Sequence, residues 1–198
     1  MAGRHERGQT RNGRRLSRED RVSITLLLFF VLMAVTIELY FVVHHRDLPQ
    51  RDDLFARLYE IYGAGDQAYY GRGDVHVPFA LETINVFVTQ VLNGILIWAI
   101  VRRRPYRHPL QLAVSSYVAY SVVLYFWIAH VSGYPGMPEK DWWGYLIFYA
   151  PNLPWLLGHL YLAHRSFGAI VRQFAPRSTE PSAVRHPGRG GLSLGDGG

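Results

Sequence analysis

The sequence contains no cysteine and only one lysine, Lys140, although arginine is abundant. The lack of cysteine excludes disulfide bonds, zinc sites built on thiolates and thiol catalysis. The chain also lacks an even mixture of apolar and polar residues, because long apolar runs alternate with charged segments. The net charge of +6 would suit a nucleic-acid-binding protein, but the arginines lie outside the apolar runs. We therefore expect a membrane protein that does not bind nucleic acid.

Four apolar runs have about the 20 residues that a helix needs to cross a bilayer. They cover residues 22–43, 78–101, 110–131 and 143–164. The sequence thus predicts an all-α integral membrane protein, a four-transmembrane-helix bundle within a domain of residues 22–172. A basic segment, 1–21, precedes this domain. A tail rich in Pro, Gly, Ser and Arg, 173–198, follows it and is expected to be disordered.

The charges between the runs predict the orientation. Arginines dominate the N-terminal segment, the loop 102–109 and the tail, whereas 44–77 and 132–142 are net acidic. By the positive-inside rule, both termini are cytoplasmic. The membrane is the plasma membrane if the source is bacterial and the endoplasmic reticulum if it is eukaryotic. The alternative that the first run is a signal peptide is disfavoured, because its apolar part is long and no small-x-small site follows.

Glu38 and Glu82 are the acidic residues within the runs, and neither has an intramembrane Lys or Arg beside it. A carboxyl in the hydrocarbon costs about 3 kcal/mol on insertion scales, so such residues usually serve a function. In an up-and-down bundle, Glu38 lies about a turn before the exit of the first span. Glu82 lies about a turn after the entry of the second, so we expect both carboxyls at similar depth.

Polar and aromatic residues also recur at helical spacing on three of the spans. These stripes are Glu82, Asn85, Thr89 and Asn93 on the second span, Tyr117, Ser121 and Tyr125 on the third, and Tyr145, Asn152, Trp155 and His159 on the fourth. They predict an intramembrane ligand pocket, although interhelical hydrogen bonding would also explain the Asn and Ser residues. Pro151 and Pro154 predict a break in the fourth span that presents Asn152 and Trp155 to the interior.

Other polar residues have simpler explanations. His44, His45 and Asp47 resemble a metal-binding cluster, but they follow the end of the first span, where a solvated interface is expected. His130 and His159 lie near span ends, where snorkelling to the interface would explain them. The stretch LFARLYEIYGAG, residues 54–65, suggests a short interfacial helix. We expect neither a metal nor an organic cofactor.

Five stretches give the chain a family resemblance. They are IELYF at 37–41, LETI at 81–84, RRPYRHPLQLAVS at 103–115, YSVVLYFWIAH at 120–130 and FYAPNLPW at 148–155. With these motifs the chain resembles the emopamil-binding protein family, which includes the Δ8-Δ7 sterol isomerases and shares its membrane domain with the sigma-2 receptor. The resemblance covers roughly residues 25–170.

The resemblance implies a pocket in which a ring alkene is protonated to a carbocation that then loses a proton from another carbon. Glu38 and Glu82 match the acid/base glutamates of the family, and Asn152 and Trp155 match residues that line its cation site. We expect further substrate contacts from the pocket stripes and the span-four motif, at Asn85, Tyr117, Ser121, Tyr125 and Tyr149. The chain departs from the sterol isomerases at three positions, with Ala34 for histidine, Asn85 for threonine and Ser121 for aspartate.

Three functions remain open from the sequence. The first is an isomerase that shifts a double bond in a sterol-like or terpenoid lipid. The second is a terpenoid cyclase that uses the same acid, and the third is a non-catalytic sterol- or amine-binding protein like the sigma-2 receptor. The expected partners are the lipid substrate and membrane lipids. A homodimer is a further alternative, because family members can dimerise.

Overall fold

The computed structural model of the chain describes residues 16–175. Most of the basic N-terminal segment lies outside this range. The predicted disordered tail, 173–198, also lies outside the described residues except for its first three positions. Of these, Gln173 and Phe174 belong to the last helix.

Helices and turns account for the described part of the chain, which contains no strand. The helices are α1 (Arg18–His44), α2 (Leu54–Tyr62), α3 (His76–Val101), α4 (Arg107–Val131), α5 (Trp142–Tyr149) and α6 (Leu153–Phe174). Short 3₁₀ helices cover Leu48–Gln50 and Gln67–Tyr70. The predicted all-α class is therefore confirmed for these residues.

Three helices, α1, α3 and α4, are long and apolar enough to cross a membrane. They contain the first three predicted spans, and each begins a few residues earlier than its apolar run. For α1 the reason is local, because the Ser17 side chain accepts a hydrogen bond from the Asp20 N–H and caps the helix. The negative charges of Glu19 and Asp20 in the first turn also stabilise the helix by interacting with the positive end of its dipole.

The predicted fourth span is divided into α5 and α6. The interruption falls at the prolines, because Pro151 has no N–H for an α5 carbonyl and Pro154 lies in the first turn of the next helix, where its missing N–H is not needed. The Asn152 Nδ2 group donates to the Phe148 carbonyl at 2.8 Å and replaces part of the missing backbone bonding. The break that the proline spacing predicts is therefore confirmed.

Two of the long helices contain a π-helical turn. In α1 this turn is Ala34–Glu38, where the Leu39 N–H reaches the Ala34 carbonyl. In α3 it is Asn85–Thr89, where the Gln90 N–H reaches the Asn85 carbonyl. Such turns add one residue to an α-helix and are frequent at functional sites.

The long helices enclose two buried apolar clusters. One, at the arginine-rich end, contains Leu27, Phe30, Leu96, Ile100 and Leu162. The other, at the opposite end, is rich in aromatic rings and includes Phe41, Tyr59, Tyr69, Tyr125 and Phe148. Residues 54–70, which we call the lid, supply Tyr59 and Tyr69 to this second cluster. The segment between the first two long helices therefore packs into the core of the protein.

Candidate active site

A cavity of about 390 Å³ lies between the lid and the long helices. This volume is within the usual range of small-molecule pockets, roughly 300–1,000 Å³. Most of its lining is apolar or aromatic, and its polar side chains are few. Those polar groups, apart from tyrosine hydroxyls, are Glu38, Glu82, Asn85, Ser121 and Asn152.

Glu38 is the last residue of the π-helical turn in α1. Its Oε2 atom accepts a hydrogen bond from Asn85 Nδ2 at 2.5 Å. Asn85 in turn opens the π-helical turn of α3, so the two irregular turns meet through their side chains. The Glu38 carboxyl also interacts with the carboxyl of Glu82 and with the side chain of Trp155. The structure thus brings the two glutamates together at one cavity.

Glu82 has a hydrogen-bond donor from the lid. The Tyr69 hydroxyl, on a ring that is 4% exposed, donates to Glu82 Oε1 at 2.7 Å. Tyr59, also from the lid, donates to the Ile37 carbonyl at 2.9 Å, next to Glu38. The lid is therefore bonded to both helices that carry the carboxyls.

The amide of Asn152 points to the same cavity from the break between α5 and α6. Its Nδ2 group donates to the Tyr62 hydroxyl at 2.9 Å. The Trp155 ring lies one turn further along α6 and contacts Phe29 and Phe30, with ring centroids 5.7 and 5.2 Å away. These contacts hold the indole in place while the side chain lines the cavity.

Tyr125 lines the cavity and connects it to the lid. Its hydroxyl donates to Asp66 Oδ2 at 2.6 Å, and the Ala68 N–H donates to the other oxygen. Burial raises the pKa of Asp66, although both hydrogen bonds favour the ionised form. Ser121, one turn before Tyr125 on α4, also lines the cavity and donates to the Val118 carbonyl of its own helix.

The cavity lining does not include Tyr117 and His159 from the predicted stripes, or Tyr149 from the span-four motif. Tyr117 is 43% exposed on α4. Tyr149 shares a hydrogen bond with the Tyr134 hydroxyl at 2.8 Å and packs on Phe126. His159 is 1% exposed and stacks on Phe30 at 4.3 Å, so the expectation that it snorkels to the interface is wrong.

The sequence analysis did not identify the lid tyrosines as site residues. Tyr59, Tyr62 and Tyr69 all line the cavity. Two signals were available, namely four tyrosines within residues 59–70 and the amphipathic pattern of α2. Both signals also fit an interfacial helix, and the structure adds that Tyr59 and Tyr62 of α2 face the cavity.

Of the residues that resemble a metal-binding cluster, His44 and Asp47 take part in ordinary ion pairs. His44 Nδ1 lies 3.4 Å from Asp47 Oδ1, and Asp47 also pairs with Arg51. Across residues 16–175 there is no group of three His, Asp or Glu side chains arranged to hold a metal ion.

Comparison with known proteins addresses the resemblance directly. Residues 54–166, more than half of the chain, match the family described as EBP: EXPERA (EXPanded EBP superfamily). This segment contains Glu82, Asn85, Asn152 and Trp155, while Glu38 precedes it.

Two plant proteins are similar over a longer range. The probable 3-beta-hydroxysteroid-Delta(8),Delta(7)-isomerase of Arabidopsis thaliana is 26% identical over 146 residues, which cover 73% of this chain and 64% of that protein. The protein of the same name from Oryza sativa subsp. japonica is 27% identical over 166 residues, 83% of this chain and 74% of that protein. The chain thus spans less than two thirds of the Arabidopsis relative. With its three membrane-length helices and this family match, the chain is an integral membrane protein that belongs to the expanded EBP (EXPERA) superfamily.

Proposed function

We propose that the protein is an isomerase that shifts a carbon–carbon double bond in a sterol-like or terpenoid lipid by protonation and deprotonation. One observation carries the proposal: carboxyls from two different helices, Glu38 and Glu82, interact within one largely apolar cavity. The names of the two plant relatives, both sterol isomerases, support the same reaction class.

The reaction follows from how such a pair holds protons. Two adjacent carboxyls in apolar surroundings rarely ionise together, so the pair carries one proton. The protonated carboxyl donates to one alkene carbon, and the other carboxyl removes a proton from a carbon next to the cation. One proton enters the lipid and one leaves it, so the pair ends with its proton on the opposite carboxyl. After the product leaves, transfer between Glu38 and Glu82 and exchange of the carboxyl proton with water restore the starting state.

The neighbouring groups fit these roles. Asn85 and Tyr69 each donate one hydrogen bond to a glutamate, which orients the carboxyls and stabilises whichever one is ionised. The indole face of Trp155 would stabilise a carbocation by up to about 2 kcal/mol in a dry site. The lid would keep water from adding to the cation. We propose Asn85, Ser121, Tyr125, Asn152 and Trp155 as substrate contacts, because all of them line the cavity.

The proposal includes the membrane topology. We assign α5 and α6 together as the fourth crossing, because their junction lies at the same cavity as Glu38 and Glu82. Arg18 at the start of α1, Arg102 after α3 and Arg172 near the end of α6 support cytoplasmic termini. The host membrane would be the plasma membrane in a bacterium and the endoplasmic reticulum in a eukaryote. The homodimer stays a prediction.

The test is to incubate the purified protein with a Δ8 sterol in deuterated water and to analyse the product by mass spectrometry. We expect a product in which the double bond has moved and in which the protonated carbon carries one deuterium. Glu38→Gln and Glu82→Gln should each lower turnover by about 10²–10⁴-fold, the usual contribution of general acid–base catalysis. Glu60→Gln, an exposed change on α2, serves as the matched control and should retain full activity.

Other outcomes have definite meanings. Wild-type turnover in either cavity variant would exclude the paired-carboxyl mechanism. A product with an additional ring would indicate a cyclase. Binding that depends on Glu38 without any product, across sterol and terpenoid substrates, would indicate a binding protein.

A further inference from the structure

A second cavity, polar and about 350 Å³ in volume, lies at the arginine-rich end of the bundle. It is formed where α1 and α4 begin and where the second half of α6 passes them. Its charged lining consists of Arg103, Arg107, Arg165 and Arg172 with Glu19 and Asp20. It is separate from the candidate active site, with which it shares no lining residue.

The acidic residues in this cavity position the arginines without neutralising them. Asp20 is buried and accepts from Arg165 Nη2 at 2.6 Å and from Arg107 Nη1 at 3.4 Å. Glu19, which is largely exposed, lies 3.4 Å from Arg165 Nε. Even without counting Arg103, the three guanidinium groups of Arg107, Arg165 and Arg172 exceed the two carboxylates by one positive charge. Such a surplus in a concave site favours an anionic ligand.

His108 gives a second, independent indication of a ligand. Its Nε2 atom accepts from Arg107 Nε at 3.2 Å, so the proton of the neutral ring is on Nδ1. The residue is 9% exposed, and Nδ1 is shielded from solvent with no partner among residues 16–175. A buried N–H without an acceptor is unfavourable, and an anion in this cavity would supply one.

The surroundings indicate that the anion belongs to a lipid. In the topology proposed above, the chain crosses the membrane boundary here, and Arg104 lies 4.8 Å from the ring of Trp98, an aromatic residue typical of that boundary. Beside Arg172, α6 exposes Phe167, Val171 and Phe174, which acyl chains would cover. Basic pockets between membrane helices are known to hold anionic head groups.

We propose that this cavity binds the phosphate of an anionic phospholipid. Arg172 and Arg107 contact the phosphate, Arg165 is held in place by Asp20, and His108 Nδ1 donates the remaining hydrogen bond. The site is independent of the isomerase reaction, because none of these residues lines the candidate active site.

The experiment is native mass spectrometry of the full-length protein in detergent, titrated with phosphatidylglycerol or with phosphatidylcholine. We expect phosphatidylglycerol to bind more tightly. Arg172→Gln should weaken its binding about fivefold, the usual effect of one basic residue near an anionic membrane, and adding Arg107→Gln should weaken it further. Arg172 is exposed, so its substitution should leave the fold intact, as a thermal melt would verify.

The matched control is Arg102→Gln, which removes the same charge at the same end of the bundle but outside the cavity. It should change lipid binding less than twofold. An equal loss of phosphatidylglycerol binding in Arg102→Gln and Arg172→Gln would show general electrostatic attraction and overturn the site. Equal binding of the two lipids by the wild-type protein would overturn it as well. In a last experiment, inorganic phosphate is added to the protein–lipid complex. If phosphate displaces the lipid at a concentration similar to that of the lipid, the cavity binds a free anion and the lipid proposal is overturned.

Discussion

Replacing Gly65 with alanine is expected to separate the lid from α5. A Cβ atom at this position would lie 2.5 Å from the Phe148 nitrogen and 2.9 Å from the Ile147 carbonyl carbon. An ordinary contact is 3.4–4 Å, and the atoms that it meets are backbone, so no side chain can rotate away. The lid must therefore move by about 1 Å, at a cost typical of overpacking, about 1–3 kcal/mol.

For a chain of this length, that cost corresponds to a fall in Tm of about 3–10 °C. Thermal unfolding followed by tryptophan fluorescence, in one detergent and at one heating rate, would measure it. Gly94→Ala is the matched control, because its Cβ would meet no atom within 4 Å on α3. That change should stabilise the helix by about 0.5–1 kcal/mol. If both variants shift Tm in the same direction and by the same amount, the close approach of the lid to α5 is refuted.

Tyr69→Phe removes the hydrogen-bond donor to Glu82. Sterol turnover should fall about 10- to 100-fold, because a hydrogen bond to a charged group is worth about 1.5–3 kcal/mol. An unchanged kcat would contradict this prediction. Burial raises the pKa of Asp66 above 3.8, so its protonated form stabilises the fold, and this contribution is lost as the pH rises through the raised pKa. The Tm of Asp66→Asn relative to wild type should therefore increase from acidic to neutral pH, and a constant difference would refute it. Arg165→Gln leaves buried Asp20 without its nearest partner and should destabilise the fold by about 3 kcal/mol, measured by denaturant unfolding, with partial recovery when Asp20→Asn is added.

The sequence was sufficient for the features that depend on local periodicity. Apolar length alone located the helices that carry Glu38 and Glu82, and counting residues from the span ends placed both carboxyls at one depth. Of the polar stripe on α3, Glu82 and Asn85 line the cavity, whereas Thr89 and Asn93 are buried outside its lining. Each of these conclusions needs only the repeat of a helix and the solvent on either side of it.

The remaining features depend on contacts between distant parts of the chain. The pairing of Tyr69 with Glu82 follows from the path of the lid, which no periodicity in residues 44–77 specifies. A stripe also covers a wide angle of the helix surface, so it includes Ser121 and Tyr125 at the cavity and Tyr117 outside it. The break after α5 predicts a change of direction but does not determine where Tyr149 points.

In the two π-helical turns, the geometry of the site depends on the number of residues as well as on their identity. Each turn holds one residue more than an α-helical turn would. Deleting one residue from 34–37 would let α1 continue as a regular α-helix, and the parts of α1 on either side would keep their orientation, because the wider turn had already absorbed the extra residue. The widened turn that places Glu38 beside Asn85 would be lost, while the apolar character of the span stayed the same. A deletion of one residue there would therefore disturb the site locally, in a helix that still inserts normally.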